Sequence, residues 1–180
     1  MTGAAWSHLT GIGVAVLLAA GACTPAQSAH VQTSPITTHS FVGGCAGTVL
    51  TDAEPPVWAQ AGWNNAGGAP WSVPWAFGTG GDAVAFLFAR QLVAGSSPRV
   101  DSTNNKVLWV AKGNPSSFVV EAIPPGATQA VITVNGGPSI VDVPSAGCWK
   151  FQLTWGAPQA GSTINLDVLP AGSTPPAQAA

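Results

Sequence analysis

Alternating apolar and polar residues between Trp149 and Trp155 predict the strand around which the fold is organised. Trp149, Phe151, Leu153 and Trp155 share one face, because successive side chains of a strand point to opposite sides. The residues between them are polar. Proline and glycine precede the segment, and a glycine follows it. Since three of the four inward residues are aromatic, we expect a central, half-buried strand of a β core.

Further short apolar segments recur along the chain, separated by turn residues rich in Gly, Pro and Asn. Seven or eight strands at roughly ten-residue spacing are typical of a β-sandwich. Asp82–Ala89 is nearly all apolar, which predicts a strand buried on both faces; a helix continuing to Val93 is the alternative. The other predicted strands are Gly47–Thr51, Lys106–Lys112, Ser117–Ile123, Gln129–Val134, Ile140–Val143 and Thr163–Leu169. Residues 135–138, Asn-Gly-Gly-Pro, are predicted to be a turn.

The first 22 residues have the pattern of a signal peptide. Leu9–Ala22 is an apolar run that is too short to cross a bilayer as a helix. Residues 20–23, Ala-Gly-Ala-Cys, resemble the lipobox of bacterial lipoproteins, in which the Cys is acylated and becomes the mature N-terminus. The resemblance implies a lipid on Cys23 and attachment to the outer face of the cytoplasmic membrane. An ordinary secretory peptide cleaved after Ala22 or Ala29, or an unprocessed start, is the alternative.

Composition sets the limits of the folded domain. Residues 23–40 are rich in Thr, Ser, Gln, Ala and Pro without apolar periodicity, which indicates a flexible tether. Residues 171–180 are similar and are predicted to be a disordered tail. The β-sandwich domain is therefore predicted at residues 41–170.

Two of the three cysteines are predicted to pair. If Cys23 carries a lipid, Cys45 and Cys148 remain as an even pair in an oxidising compartment. Cys148 falls on the Lys150 side of its strand, away from the aromatic face. We therefore expect the bond near the rim of the sheet and outside the middle of the core.

Charge and residue content exclude several classes of function. Five Lys and Arg nearly balance seven Asp and Glu, so the chain has no basic surface for nucleic acid. After His39 there is no histidine, so a Ser-His or Cys-His pair would need a base from the tether. Ligand sets for copper or zinc are also missing. We predict a protein that is not an enzyme and has no cofactor, metal or catalytic residue.

Two polar patterns have weak catalytic or metal-binding potential. Asp101, Thr103 and Asn105 have the spacing of a calcium loop, but the twelfth position is Lys112 where a bidentate Glu is needed. An Asn- and Asp-rich turn is the preferred interpretation. Asp52 and Glu54 lie two residues apart and could form an acid/base pair. Acidic residues ahead of two prolines are more typical of a solvated turn.

The tryptophans between residues 52 and 79 form the candidate binding site. Trp109, Trp149 and Trp155 follow the periodicity of strands and are predicted to lie in the core. Four others, in contrast, lie among Gly, Pro and Asn in a long irregular segment: Trp58, Trp63, Trp71 and Trp75. They either cap one end of the sandwich or form an apolar platform for sugar rings or a partner. For the platform, Trp58, Trp63 and Trp71 are the predicted contacts, and Asn64 beside Trp63 would supply amide hydrogen bonds.

Three motifs resemble a group of uncharacterised secreted proteins and lipoproteins of actinomycete-type bacteria. They are Asn-Lys-Val-Leu-Trp-Val at residues 105–110, Gly-Cys-Trp at residues 147–149 and Pro-Trp-Ala-Phe-Gly at residues 74–78. The resemblance covers about Cys45 to Val168. It implies an immunoglobulin-like β-sandwich outside the cell, and it brings no established activity.

The sequence therefore predicts an exported, lipid-anchored binding or interaction domain whose ligand it does not specify. A module that binds carbohydrate or another envelope polymer through its loop tryptophans is the alternative, and an enzyme with an unrecognised site ranks last. The predicted partners are the cell membrane, through the N-terminal lipid, and an envelope polymer or protein.

Overall fold

Two β-sheets enclose one hydrophobic core in the computed structural model, which describes residues 40–60 and 73–176. In this part of the chain there is no α-helix, only a short 3-10 helix at Val57–Ala59. The strands are β1 (Ser40–Phe41), β2 (Leu50–Thr51), β3 (Trp75–Phe77), β4 (Ala83–Leu87), β5 (Leu92–Val93), β6 (Lys106–Ala111), β7 (Phe118–Ile123), β8 (Ile132–Asn135), β9 (Gly137–Ile140), β10 (Gly147–Trp155) and β11 (Ala160–Leu169).

The order of the strands is that of an immunoglobulin-like β-sandwich. One sheet has the order β5-β11-β10-β7-β8, which corresponds to strands G, F, C and C′ preceded by a short edge strand. The other has the order β1-β2-β3-β4-β6-β9, in which β4, β6 and β9 take the places of strands A, B and E. The first three strands extend this second sheet at its edge. The predicted β-sandwich is confirmed.

Strand β10 is central, as its alternation predicts. It pairs with β11 on one side and with β7 on the other, and both pairings are antiparallel. Trp149, Phe151 and Leu153 are fully buried in the core between the sheets. Trp155, at the end of the strand, is only half-buried and contacts the ring of Phe118, with 5.7 Å between ring centroids.

Strand β4 is buried on both faces, and the helical alternative is wrong. Ala83, Ala85 and Leu87 face the main core, whereas Val84 and Phe86 belong to a second cluster on the other face of the sheet. The 3-10 helix and the segment before β3 cover that second cluster. Small clusters of this kind are typical beneath long connections.

The predicted strand Ile140–Val143 is displaced in the structure, and the predicted turn before it is absent. Strand β9 covers Gly137–Ile140, while Val141 and Val143 are buried outside any strand. Only Gly136 separates β8 from β9, and the two strands belong to different sheets. A Cβ atom at Gly136 would lie 1.9 Å from Cδ1 of Phe118, so only glycine fits at this crossing.

Eleven strands are present in the described ranges, more than the seven or eight predicted. The additional ones are short: β1 and β5 have two residues each, and β3 has three. Two or three residues are too few to produce a recognisable period. Their pairing with neighbouring strands, rather than their own pattern, makes them strands.

Cys45 and Cys148 form the predicted disulfide bond, with 5.9 Å between their Cα atoms. Cys45 lies beside β11, where its N–H donates to the carbonyl of Asn165. Cys148 lies on β10, where it is paired with Asp167 of β11, and it points away from the face that carries buried Trp149. Both cysteines are half-buried. The bond therefore lies outside the main core, as the phase of the strand predicts.

The predicted signal peptide, Cys23 and almost all of the predicted tether lie outside the described residues, as do the last four residues of the predicted tail. Ser40, the last residue of that tether, belongs to β1 and pairs with Thr51 of β2. Within the described part of the chain, no helix has the length and apolar character needed to cross a membrane.

Candidate functional site

A cleft opens where the chain crosses from one sheet to the other at Gly136. Strands β6 and β9 form its wall on the side of the six-stranded sheet, and β7 and the end of β8 form the opposite wall. The loop between β6 and β7 closes one end. The cleft has a volume of about 570 Å³. It is lined by Leu108, Trp109, Val110, Ala111, Asn114, Pro115, Ser116, Ser117, Phe118, Val119, Asn135, Gly136 and Gly137.

Trp109 joins this cleft to the core. Its side chain is 1 % exposed and packs on Phe151, with 5.2 Å between ring centroids. Its indole Nε1–H has no hydrogen-bond partner, and it is the one buried side-chain polar atom of this kind among the described residues. A buried donor without a partner costs about 1–3 kcal/mol.

Neutral polar groups line the cleft. Asn114 and Asn135 contribute side-chain amides, and Ser116 and Ser117 contribute hydroxyls; all four residues are exposed. The ring of Phe118 provides an apolar surface beside them. None of the described residues that line the cleft is charged. The cleft is thus suited to hold a small, uncharged ligand that both donates and accepts hydrogen bonds.

Two local backbone features give the cleft its shape. Asn114 has a φ of 48° in the turn after β6, a left-handed conformation that asparagine tolerates better than most residues. At the opposite wall, the N–H of Gly136 donates to the carbonyl of Phe118 and brings the crossing close to β7. Sequence reasoning assigned Trp109 to the core, which is correct. Nothing in the sequence indicates that its indole N–H lacks a hydrogen-bond partner.

The predicted tryptophan platform is only partly described. Trp58 is half-buried and packs against the second hydrophobic cluster, so part of its surface remains accessible. Trp75 is buried, and its Nε1–H donates to the carbonyl of Ala53 at 2.7 Å, which identifies it as a packing residue. Trp63, Asn64 and Trp71 lie outside the described residues. The platform therefore stays a prediction.

The residues with calcium-loop spacing form hydrogen bonds and an ion pair within the chain. The Asp101 carboxylate forms an ion pair with Arg99 and accepts hydrogen bonds from Thr103, while the Asn105 side chain is buried elsewhere. The hydrogen bond from the Thr103 side chain is the largest of the effects that lower the pKa of Asp101. Across residues 40–60 and 73–176, no three His, Cys, Asp or Glu side chains cluster as metal ligands would.

The carboxylates considered for acid/base chemistry lie ahead of the 3-10 helix. Glu54 is exposed and accepts a hydrogen bond of 3.2 Å from the Gln60 side chain. Gln60 also donates to the carbonyl of Pro55. These bonds hold the turn before the helix together, in agreement with the preferred interpretation of a solvated turn.

Comparisons with known proteins identify no relative. No protein-family model matches the chain, and neither the curated proteins nor the solved structures contain a significant match.

Proposed function

We propose that this chain is an exported binding domain, anchored by a lipid on Cys23, that holds its ligand in the cleft beside Trp109. The observation that carries the proposal is the uncharged cleft of about 570 Å³ where the chain crosses between the sheets, whose lining combines amide and hydroxyl side chains with apolar ones. A concave site with a few polar groups on an apolar background is typical of small-molecule binding sites.

The disulfide bond supports the export part of the proposal. Disulfides persist in oxidising compartments outside the cytoplasm, and the Cys45–Cys148 bond lies within an immunoglobulin-like β-sandwich. It leaves Cys23 as the remaining cysteine of the chain. A binding domain held at the outer face of the cytoplasmic membrane agrees with both the pairing and the apolar segment ahead of Cys23.

Cys23→Ser tests the anchor. We expect the unmodified protein to fractionate with membranes and to incorporate radiolabelled palmitate in growing cells. The Cys23→Ser form should lose the label and appear in the medium, because the serine hydroxyl does not replace the acylated thiol. A Cys23→Ser protein that stays with the membrane, or that still carries the label, would contradict the lipid anchor.

Site-specific photocrosslinking on intact cells tests the binding function. Ser117 lies at the rim of the cleft, and a benzophenone side chain takes its place there; Asn104 is also exposed but lies outside the cleft, so the same side chain at position 104 is the control. We expect a crosslinked product from position 117 and none from position 104. If position 117 gives no product, or both positions give the same ones, the cleft is not the binding site.

The platform of loop tryptophans is the second candidate, because part of Trp58 remains accessible. Val57 beside it is 83 % exposed and offers a third position for the same crosslinker. A product from position 57 without one from position 117 would place the binding site at the platform and refute the cleft.

A further inference from the structure

We infer that the outer face of the six-stranded sheet, at its β9 edge, docks on the anionic surface of the bilayer that holds the lipid anchor. This inference rests on the anchor of the proposed function and adds how the domain lies against the membrane. The docking surface, which we call the edge patch, consists of six residues on or beside this face: Phe88, Arg90, Lys106, Leu108, Pro138 and Ile140.

Pairing between strands brings the edge patch together. In the pair of β6 and β9, Ile140 lies opposite Lys106, and Pro138 lies opposite Leu108. Directly opposed residues of an antiparallel pair project on the same face, with Cβ atoms about 5 Å apart. On the other side of β6, the N–H of Phe88 donates to the carbonyl of Lys106, and the Lys106 ammonium lies 5.0 Å from the centre of the Phe88 ring. The edge patch is therefore continuous across three neighbouring segments.

The edge patch is apolar and accessible. Ile140 is 51 % exposed, Phe88 is 40 % exposed, and Pro138 is also exposed. Leu108 packs against the second hydrophobic cluster, which places the edge patch on the outer face of the sheet, away from the main core. In the described part of the chain, β9 is the last strand of its sheet. Contiguous exposed apolar residues, unlike single ones, mark an interaction surface.

Charge favours an anionic bilayer as the occupant. Arg99 and Lys112 form ion pairs with carboxylates, whereas Arg90 and Lys106 are exposed and form none with the described residues. Each Lys or Arg close to an anionic membrane strengthens its binding about fivefold. The aliphatic stem of Lys106 can follow the apolar residues while its ammonium reaches a headgroup phosphate. A second copy that docked by the same surface would bring like charges together.

One carboxylate follows the edge patch along the chain. Asp142, two residues beyond Ile140, is half-buried and accepts hydrogen bonds from the N–H and hydroxyl of Ser97 and from the Asn105 amide. These donors stabilise its charge within the domain. Even when Asp142 is counted with Arg90 and Lys106, the charge of this region stays positive.

The predicted tether gives this small surface a high local concentration of lipid. Residues 24–39 separate Cys23 from β1. Because β1 begins the six-stranded sheet and β9 ends it, five strand spacings, or about 24 Å, separate the attachment point from the far edge. A flexible chain of this length has an end-to-end distance of about 20–25 Å. Such a match gives an effective concentration in the millimolar range, so a surface of about millimolar affinity is substantially occupied.

Photocrosslinking to phospholipid tests this inference. A benzophenone side chain replaces Pro138 in the edge patch or, as the control, Thr133, which is exposed on the other sheet. The full chain, purified from membranes with its lipid and disulfide intact, is reconstituted into vesicles of phosphatidylglycerol and phosphatidylcholine and irradiated. We expect phospholipid adducts from position 138 at a yield at least fivefold above that from position 133. Equal yields from the two positions would overturn the inference.

Matched charge variants test the contribution of Lys106. With the crosslinker at position 138, Lys106→Gln should lower the adduct yield about fivefold. Lys112→Gln should leave the yield unchanged, because Lys112 lies beyond the opposite end of β6 and pairs with Asp82. Equal yields in the two variants would contradict the role of charge. Adducts between two protein chains from position 138, in place of lipid adducts, would make a second copy the occupant and overturn the bilayer.

The failure of this inference is distinguishable from the failure of the proposed function. A chain that carries the palmitate label but gives no lipid adduct from position 138 overturns the inference alone and leaves an anchored binding domain. A chain without the label overturns the anchor and this inference together. The crosslinked product from position 117 reports on the cleft in either case.

Discussion

Removal of the Cys45–Cys148 bond lowers the free energy of unfolding by about 4–5 kcal/mol, the largest single loss that we expect in this protein. The bond spans 103 residues of sequence. In the chain-entropy description, a bond that closes so long a loop restricts the unfolded ensemble strongly, and its loss returns that freedom. Urea unfolding of Cys45→Ala/Cys148→Ala against the oxidised protein measures the difference.

The double variant is the appropriate form because it leaves no free thiol at either position. The oxidised and reduced wild-type proteins provide a second comparison that changes no side-chain size. Domains of this size are stable by about 5–15 kcal/mol, so the variant should remain folded at room temperature but unfold at a much lower urea concentration. A loss of stability below about 1 kcal/mol would contradict the prediction and show that strain or residual unfolded-state structure cancels the entropic stabilisation by the bond.

Asn105→Ala should destabilise the protein by about 3 kcal/mol, because it leaves several buried groups without partners. The Asn105 side chain is fully buried. Its Oδ1 accepts from the N–H of Val93 at 3.1 Å, and its Nδ2 donates to the carbonyl of Val93 at 2.8 Å. Nδ2 also donates to Oδ1 of Asp142. Denaturant unfolding gives the difference in free energy.

Position explains the size of this effect. Val93 lies in β5, where β11 pairs with it in parallel on one side. On the other side, the Asn105 amide takes the place of a neighbouring strand and pairs both the N–H and the carbonyl of Val93. Without the Asn105 amide, the N–H and the carbonyl of Val93 would be buried on that side without a hydrogen-bond partner.

Asn104→Ala is the matched control, because Asn104 is exposed and precedes Asn105 directly. We expect a change within about 0.5 kcal/mol, as is usual for surface substitutions. Similar losses in the two variants would contradict the assignment of Asn105 as a buried link. A small loss in both would show that water replaces the amide.

The motifs behind the sequence resemblance have structural roles in this fold. Asn105, the first residue of the Asn-Lys-Val-Leu-Trp-Val motif, forms hydrogen bonds with the backbone of Val93 in β5. In the Gly-Cys-Trp motif, Cys148 forms the disulfide bond, and Trp149 is buried with its Nε1–H donating to the carbonyl of Ser145. Gly147 has a φ of 118°, and a Cβ there would approach Pro125 to 3.0 Å. Membership of the secreted group itself stays a prediction.

Local pattern was sufficient for the regular strands. A period of two identifies β10 and β11 as strands, because a strand buried on one face alternates apolar and polar residues. An unbroken apolar run identifies β4, because a strand buried on both faces is apolar throughout. The disulfide partners followed from the cysteine count, on the expectation that Cys23 carries a lipid, and the strand phase placed the bond outside the core. Each of these inferences needs only neighbours in sequence or the parity of the cysteines.

The candidate site could not be read from the chain in this way. Asn114, Phe118 and Asn135 occupy different elements, and they line one cleft only because the chain changes sheets at Gly136. The predicted turn and strand after residue 135 were wrong for the same reason. Nothing in the local pattern distinguishes a hairpin turn, which stays within one sheet, from a crossing between sheets.

The sequence by itself determined that this protein is a β-sandwich, which strand lies at its centre and which two cysteines pair. Alternation and composition act through local burial, and they are visible without the fold. Only the tertiary structure decided which strands share a sheet, where the cleft opens and that Trp109 lacks a hydrogen-bond partner. Those features depend on contacts between residues distant in sequence, since a donor is satisfied or not by what the folded chain places beside it.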